Sequence, residues 1–221
     1  MFNPVKINML PSISEKFKQN KSYSFAMAKK DKIDFVYNTA ALEGNAMTYP
    51  EVQTLLEGIT VGGHRLSDEQ QILNQNRSVG LLFEMIENSR FLLDKGVLCE
   101  LHVQVAKEEA LSWGKFRDGN VNIGGTDYIP PAYQELDKIF EAGKNTLNLI
   151  KDPILKALCY FLFGARTQFF FDGNKRTSRL VMNGILLDNG YPILNIKAKD
   201  KLEFNTKMIE FYNSGDYVTM L

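Results

Sequence analysis

Apolar residues recur at three- and four-residue intervals over most of this chain, so the pattern predicts a mainly helical protein. Ile33, Val36, Tyr37, Ala40 and Ala41 form one such stripe, and Gly44 is placed to end that helix. Thr48 and Glu51 make a capping box before a short helix ending near Gly58. Gly62, Gly63 and His64 then connect to a second box, Ser67 with Gln70, and a long helix reaching about Asn88. Further helices are expected at about 97–111 and 132–142. Asp152-Pro153 opens another, with Leu155, Leu158, Cys159 and Leu162 along one face. A last helix is expected over 200–213. The first thirty residues are polar and Lys-rich, and read as a partly mobile extension.

The helical pattern breaks once where chemistry is densest. Residues 168–179 read Gln-Phe-Phe-Phe-Asp-Gly-Asn-Lys-Arg-Thr-Ser-Arg, after which the apolar pattern resumes at Leu180 and runs to Leu187 before Asn189-Gly190. Asp172-Gly173-Asn174 is a sharp turn whose backbone N–H groups can converge on an anion, and the helix that follows adds its positive N-terminal dipole. Lys175, Arg176 and Arg179 supply contacts to phosphate oxygens, and Asp172 is a carboxylate suited to Mg2+ bridging phosphates. Phe169 to Phe171 read as core beside the turn.

This segment resembles the signature of the Fic (Fido) family, His-x-Phe-x-(Asp/Glu)-Gly-Asn-(Gly/Lys)-Arg-x-x-Arg. Phe170, Asp172, Gly173, Asn174, Lys175, Arg176 and Arg179 match in register, and Gln168 stands where the family has its catalytic His. The resemblance implies AMP transfer from ATP to a hydroxyl of a target protein. Arg179 would hold the terminal phosphate, Gly173 to Arg176 the inner ones, and Asp172 the metal. A neutral imidazole can deprotonate the attacking hydroxyl near pH 7, whereas a carboxamide has no accessible pKa and cannot.

Two distant segments extend the likeness. Thr39 to Asn45 is similar to the family's inhibitory motif (Ser/Thr)-x-x-x-Glu-(Gly/Asn), here Thr39, Glu43 and Gly44. That implies the self-inhibited type with an N-terminal inhibitory helix at 32–44, in which Glu43 competes with the terminal phosphate for Arg179. Residues 114–131 bring Gly114 to Arg117, then Val121, Asn122, Ile123, Gly124 and Gly125, then Ile129-Pro130-Pro131, with the alternation and glycine turns of a short β-hairpin. In the family such a flap docks the target as an added strand. The expected fold is therefore a Fic-type helical bundle with a β-hairpin flap, one domain over residues 1–221.

Composition sets the limits. At 221 residues and 44% hydrophobic content the chain suits one well-filled core. Its 26 basic and 26 acidic residues give zero formal net charge, so no global field favours nucleic acid or an anionic membrane, and neither is expected as a partner. Cys99 and Cys159 lack zinc-site spacing and read as buried thiols, which with the absence of a leader pattern points to a reducing, cytoplasmic setting. His64 and His102 read as structural, and Trp113 as a packing anchor.

Three functions stay open. The first is a self-inhibited AMP transferase, slowed or retuned by Gln168 or using another donor. The second is a nucleotide-binding pseudoenzyme acting as a regulator, and the third a hydrolase that removes AMP, with Glu43 orienting water. A homodimer is compatible with the resemblance.

Overall fold

The computed structural model describes residues 2–221. Its helices run in chain order α1 (Pro4–Asn8), α2 (Ser14–Phe17), α3 (Lys21–Lys30), α4 (Lys32–Leu42), α5 (Tyr49–Leu56) and α6 (Leu66–Glu87). The second half adds α7 (Lys95–Ala106), α8 (Leu136–Leu147), α9 (Pro153–Thr167), α10 (Asn174–Asp188), α11 (Lys201–Ser214) and α12 (Tyr217–Met220). The buried apolar residues form one cluster from Phe2 to Tyr217.

The centre is the α9–α10 pair, flanked by α6 and α7. Asp152 starts α9 by accepting from the N–H groups of Ile154 and Leu155 at 2.8 and 3.1 Å, with Pro153 pre-set for the first turn. Ten residues of α9 and thirteen of α10 are buried, so both are core helices with almost no solvent face. They approach closely because position 164 is glycine: a Cβ there would meet Ser178 Oγ at 2.2 Å. On the other flank α6 packs Ile72, Val79, Leu82 and Met85 inward, and α4 lies across it.

Several expectations need correction. Among the described residues there is no strand, and 114–131 form an irregular loop rather than a β-hairpin flap. The reason is a buried cation. Arg117, 2% exposed, donates to the carbonyls of Gln168 (2.6 Å), Gly119 (2.7 Å) and Pro131 (2.5 Å), and its own N–H bonds Phe169 O at 2.9 Å. The segment folds around that side chain rather than pairing with itself.

Ser67 and Gln70 make no capping box, since α6 begins at Leu66 with Arg65 as its cap, whereas Thr48 and Glu51 make theirs. α7 stops at Ala106, short of residue 111, because the chain turns at Glu108 (φ 64°). The Lys-rich start forms α1 to α3 and is anchored by buried Phe2, Ile7 and Ala28. Trp113 is 40% exposed and anchors no core.

Candidate functional site

The break between α9 and α10 is built by its own side chains. Asn174, at the first turn of α10, accepts from Phe170 N–H at 2.9 Å and donates from Nδ2 to Phe170 O at 2.8 Å and Gln168 Oε1 at 2.9 Å. Gly173 takes φ +73°, and a Cβ there would press on Val105 at 3.1 Å, so the turn needs glycine for both shape and space. Asp172 Oδ1 accepts from Gly173 N–H at 2.5 Å, while its carboxylate stays 61% exposed.

His102 fixes the turn from α7. Its ring stacks on Phe170 with centroids 3.6 Å apart. Gly114 N–H donates to His102 Nδ1 at 3.1 Å, so that nitrogen is unprotonated, and Nε2 carries the hydrogen given to Asp172 O at 2.9 Å. Burial pushes this imidazole down to about 4, which keeps it neutral.

Gln168 caps α9 in left-handed backbone, φ 54° and ψ 64°, a conformation that costs a non-glycine residue roughly 1–2 kcal/mol. It is held there by Arg117 on its carbonyl. Its carboxamide is engaged at both ends: Nε2 donates to Ala165 O at 2.6 Å, and Oε1 accepts from Asn174.

Three cations follow on α10. Arg176, 4% exposed, pairs with Glu109 at 2.6 Å and reaches Asp172 at 3.6 Å. Glu109 is steadied in turn by Asn74 of α6 at 2.6 Å. Lys175 meets Glu43, the residue ending α4, at 3.1 Å. Arg179 is 1% exposed and lies 3.7 Å from Glu43, too far for a hydrogen bond. The phenyl rings of Phe161 and Phe204 flank its guanidinium at 5.8 and 5.7 Å.

None of the Arg179 guanidinium nitrogens has a hydrogen-bond partner among the described residues, and Glu43 Oε1 is buried without one as well. At this range the Coulomb attraction is about 4 kcal/mol for an effective dielectric of 20. Desolvation removes several kcal/mol per ion, so a lone pair without hydrogen bonds leaves the guanidinium undercompensated. Burial accordingly pushes Arg179 below its ordinary value, with Glu43 opposing. A pocket of about 70 Å3 opens beside these groups, lined by Glu43, Gln168, Asp172, Gly173, Asn174, Lys175 and Arg176.

The residues singled out from sequence at 168–179 and at Glu43 thus converge on one pocket wall and its backing. Thr39 is buried one helical turn before Glu43, with its hydroxyl unpartnered, and Gly44 takes φ +100° as the chain leaves α4. Of the flap residues, Asn122, Gly124 and Gly125 are exposed, and Val121 and Ile123 half-buried; none lines the pocket. Arg117, Glu109 and Asn74 escaped the sequence reading as site residues, and His102 reads there as structural, without its partner in the turn. Each acts across more than thirty residues of chain, and no local spacing marks such a contact.

Residues 92–186 match the Fic/DOC family model. Protein adenylyltransferase Fic of Drosophila mojavensis is 28% identical over 196 residues, covering 86% of this chain and 38% of the relative. That of Drosophila ananassae is 27% identical over 202 residues, covering 88% and 40%. The chain therefore spans about two fifths of the length of these relatives. Among solved structures, Fic-1 from C. elegans superposes with a TM-score of 0.77 at 19% identity, over 97% of this chain and 62% of that one. A Fic-domain signaling protein from Bacteroides thetaiotaomicron gives 0.72 at 23%, over 93% and 77%. These two superpositions show a shared fold.

Proposed function

We propose that the chain, whose residues 92–186 match the Fic/DOC family model, is a protein of that family that binds ATP with Mg2+ and transfers AMP to a hydroxyl of a target protein, restrained by Glu43 and slowed by Gln168. The observation that carries this reading is Arg179: a buried guanidinium with no hydrogen-bond partner, beside a carboxylate that touches it only at 3.7 Å. A phosphate oxygen brings the acceptor geometry that Glu43 does not, and bidentate guanidinium–phosphate contacts are among the strong hydrogen bonds.

In this reading the turn at Gly173 and Asn174 and the start of α10 offer backbone N–H groups to the inner phosphates. Lys175 is freed for them when Glu43 withdraws. Asp172 suits Mg2+ because its carboxylate is exposed and its contact to Arg176 is long. Among the described residues no three metal-binding side chains gather, so an ion at Asp172 would arrive with the nucleotide's phosphates, as Mg2+ commonly does. The target's hydroxyl oxygen attacks the α-phosphorus, pyrophosphate leaves, and the hydroxyl proton passes to water or phosphate. Gln168 cannot accept that proton, and its two structural hydrogen bonds direct it to shaping the turn.

The committed carboxamide also favours a second reading, a nucleotide-binding regulator that does not turn over. One experiment separates them. Label transfer from α-labelled ATP with Mg2+ to the chain and to extract proteins is compared for the chain as it stands, Glu43→Gly, Glu43→Gly with Gln168→His, and Glu43→Gly with Arg179→Ala. Transfer with Glu43→Gly that vanishes with Arg179→Ala supports the restrained transferase. Transfer only with Gln168→His supports the regulator. Silence in all four forms rules out AMP transfer and leaves another donor or hydrolysis.

A further inference from the structure

A second pocket, of about 160 Å3, lies between the C-terminal end of α9, α12 and the 128–131 stretch, and its chemistry differs from the first. Among the described residues that line it, Arg166 is the one cation and none is a carboxylate. The Arg166 guanidinium carbon sits 3.8 Å from the Tyr128 ring centroid, and Nε donates to Tyr212 O at 3.2 Å, so the group is stacked and oriented. Its two terminal nitrogens take no acceptor among the described residues. Tyr217, 7% exposed, and Tyr128 likewise bring hydroxyls that none of the described residues engages. Burial raises both phenols, so at neutral pH each remains an O–H donor. Pro131, Ile139 and Phe163 complete an apolar wall.

An oriented guanidinium and two phenol donors facing an apolar wall fit a small anion on a short hydrocarbon stem, which is the side chain of Asp or Glu. We infer that this pocket takes a carboxylate, and that it reads an acidic side chain near the modified hydroxyl of the target protein. The second half rests on the transfer reading above. It follows from position: Arg166 lies two residues before Gln168, and Arg117 ties Gln168 O to Pro131 O, so the pocket sits where the 114–131 loop meets the catalytic turn.

The test has two arms, and neither requires turnover. Acetate added to the full chain carrying 15N-labelled arginine is expected to shift the Arg166 side-chain resonance saturably, with acetamide producing no such shift. Tyr128→Phe should weaken the acetate response several-fold. Absence of the shift, or an equal response to acetamide, overturns the pocket. Binding is then measured for serine peptides with a single Glu two, three or four residues from the serine, each against its Gln counterpart. At one offset the Glu peptide should bind at least tenfold tighter, and Arg166→Gln should erase the difference. Acetate binding without any Glu preference would assign the pocket to a free small carboxylate and overturn the target-reading role, whatever the outcome of the label-transfer experiment.

Discussion

At the scale of single residues, Glu43 and Arg179 set the behaviour of the site. Replacing Glu43 with glycine frees a guanidinium whose hydrogen bonds to a charged acceptor contribute about 1.5–3 kcal/mol, so ATP affinity should rise about ten- to hundredfold by calorimetry. The same change leaves Arg179 buried and unpaired, a loss of roughly 3–5 kcal/mol for such pairs. The melting temperature without nucleotide should therefore fall and recover when ATP is added. A variant that binds ATP no better, or melts unchanged, would contradict the pairing. Adding Gln168→His restores a general base, a gain of roughly 10²–10⁴ in rate if the turn keeps its shape. Gln168 Oε1 accepts from Asn174, and a neutral imidazole has a single acceptor nitrogen, so a working base gives up that contact; a gain well below this range in single-turnover kinetics would mean the turn has moved.

At the scale of elements, α4 is held by a strap. Asn38 Oδ1 accepts from Ala198 N–H at 2.8 Å, and Asp34 accepts from Asn195 at 2.7 Å and Lys197 at 2.5 Å. Asn38→Ala should cost about 1–3 kcal/mol by stranding that N–H, read as a lower urea midpoint, and should loosen Glu43 enough to raise ATP binding toward the Glu43→Gly level. The helices themselves were largely legible in the sequence: the stripe from Ile33 to Ala41 and the Asp152-Pro153 start signal apolar period and capping, both local. The loop at 114–131 was not. Val121 and Ile123 alternate like a strand, but a strand needs a partner ladder, and Arg117 instead gathers the carbonyls of Gly119 and Pro131 at the two ends of the stretch and that of Gln168 outside it. Ser67 and Gln70 show the same limit, since α6 starts one residue earlier, at Leu66, which puts Ser67 inside the first turn rather than at its cap. Of the site, the turn at 172–174 and its cations stand out by residue type and Glu43 by the resemblance of its motif, while the Asn74–Glu109–Arg176 chain exists only once α6, α7 and α10 are assembled.

For the whole molecule, His102 sets an acid limit. The unfolded imidazole titrates near 6.5 and the folded one at about 4, so between these values the unfolded chain binds more protons and stability falls as pH drops. The contribution is fully present above pH 6.5 and lost by pH 4, up to about 3 kcal/mol. Urea midpoints across that range should drop, and His102→Gln should flatten the drop attributable to this group; an unchanged slope would show that another group titrates. No helix of the described residues is long and apolar enough to cross a membrane. The carboxylate facing Arg179 belongs to the same chain, 136 positions away in sequence yet 3.7 Å away in space. Its local concentration is set by covalent connection rather than by abundance, so dilution cannot separate the two. Any molecule that claims Arg179 meets the same competitor whatever the protein concentration, and the state of the site depends on the affinity and concentration of that molecule.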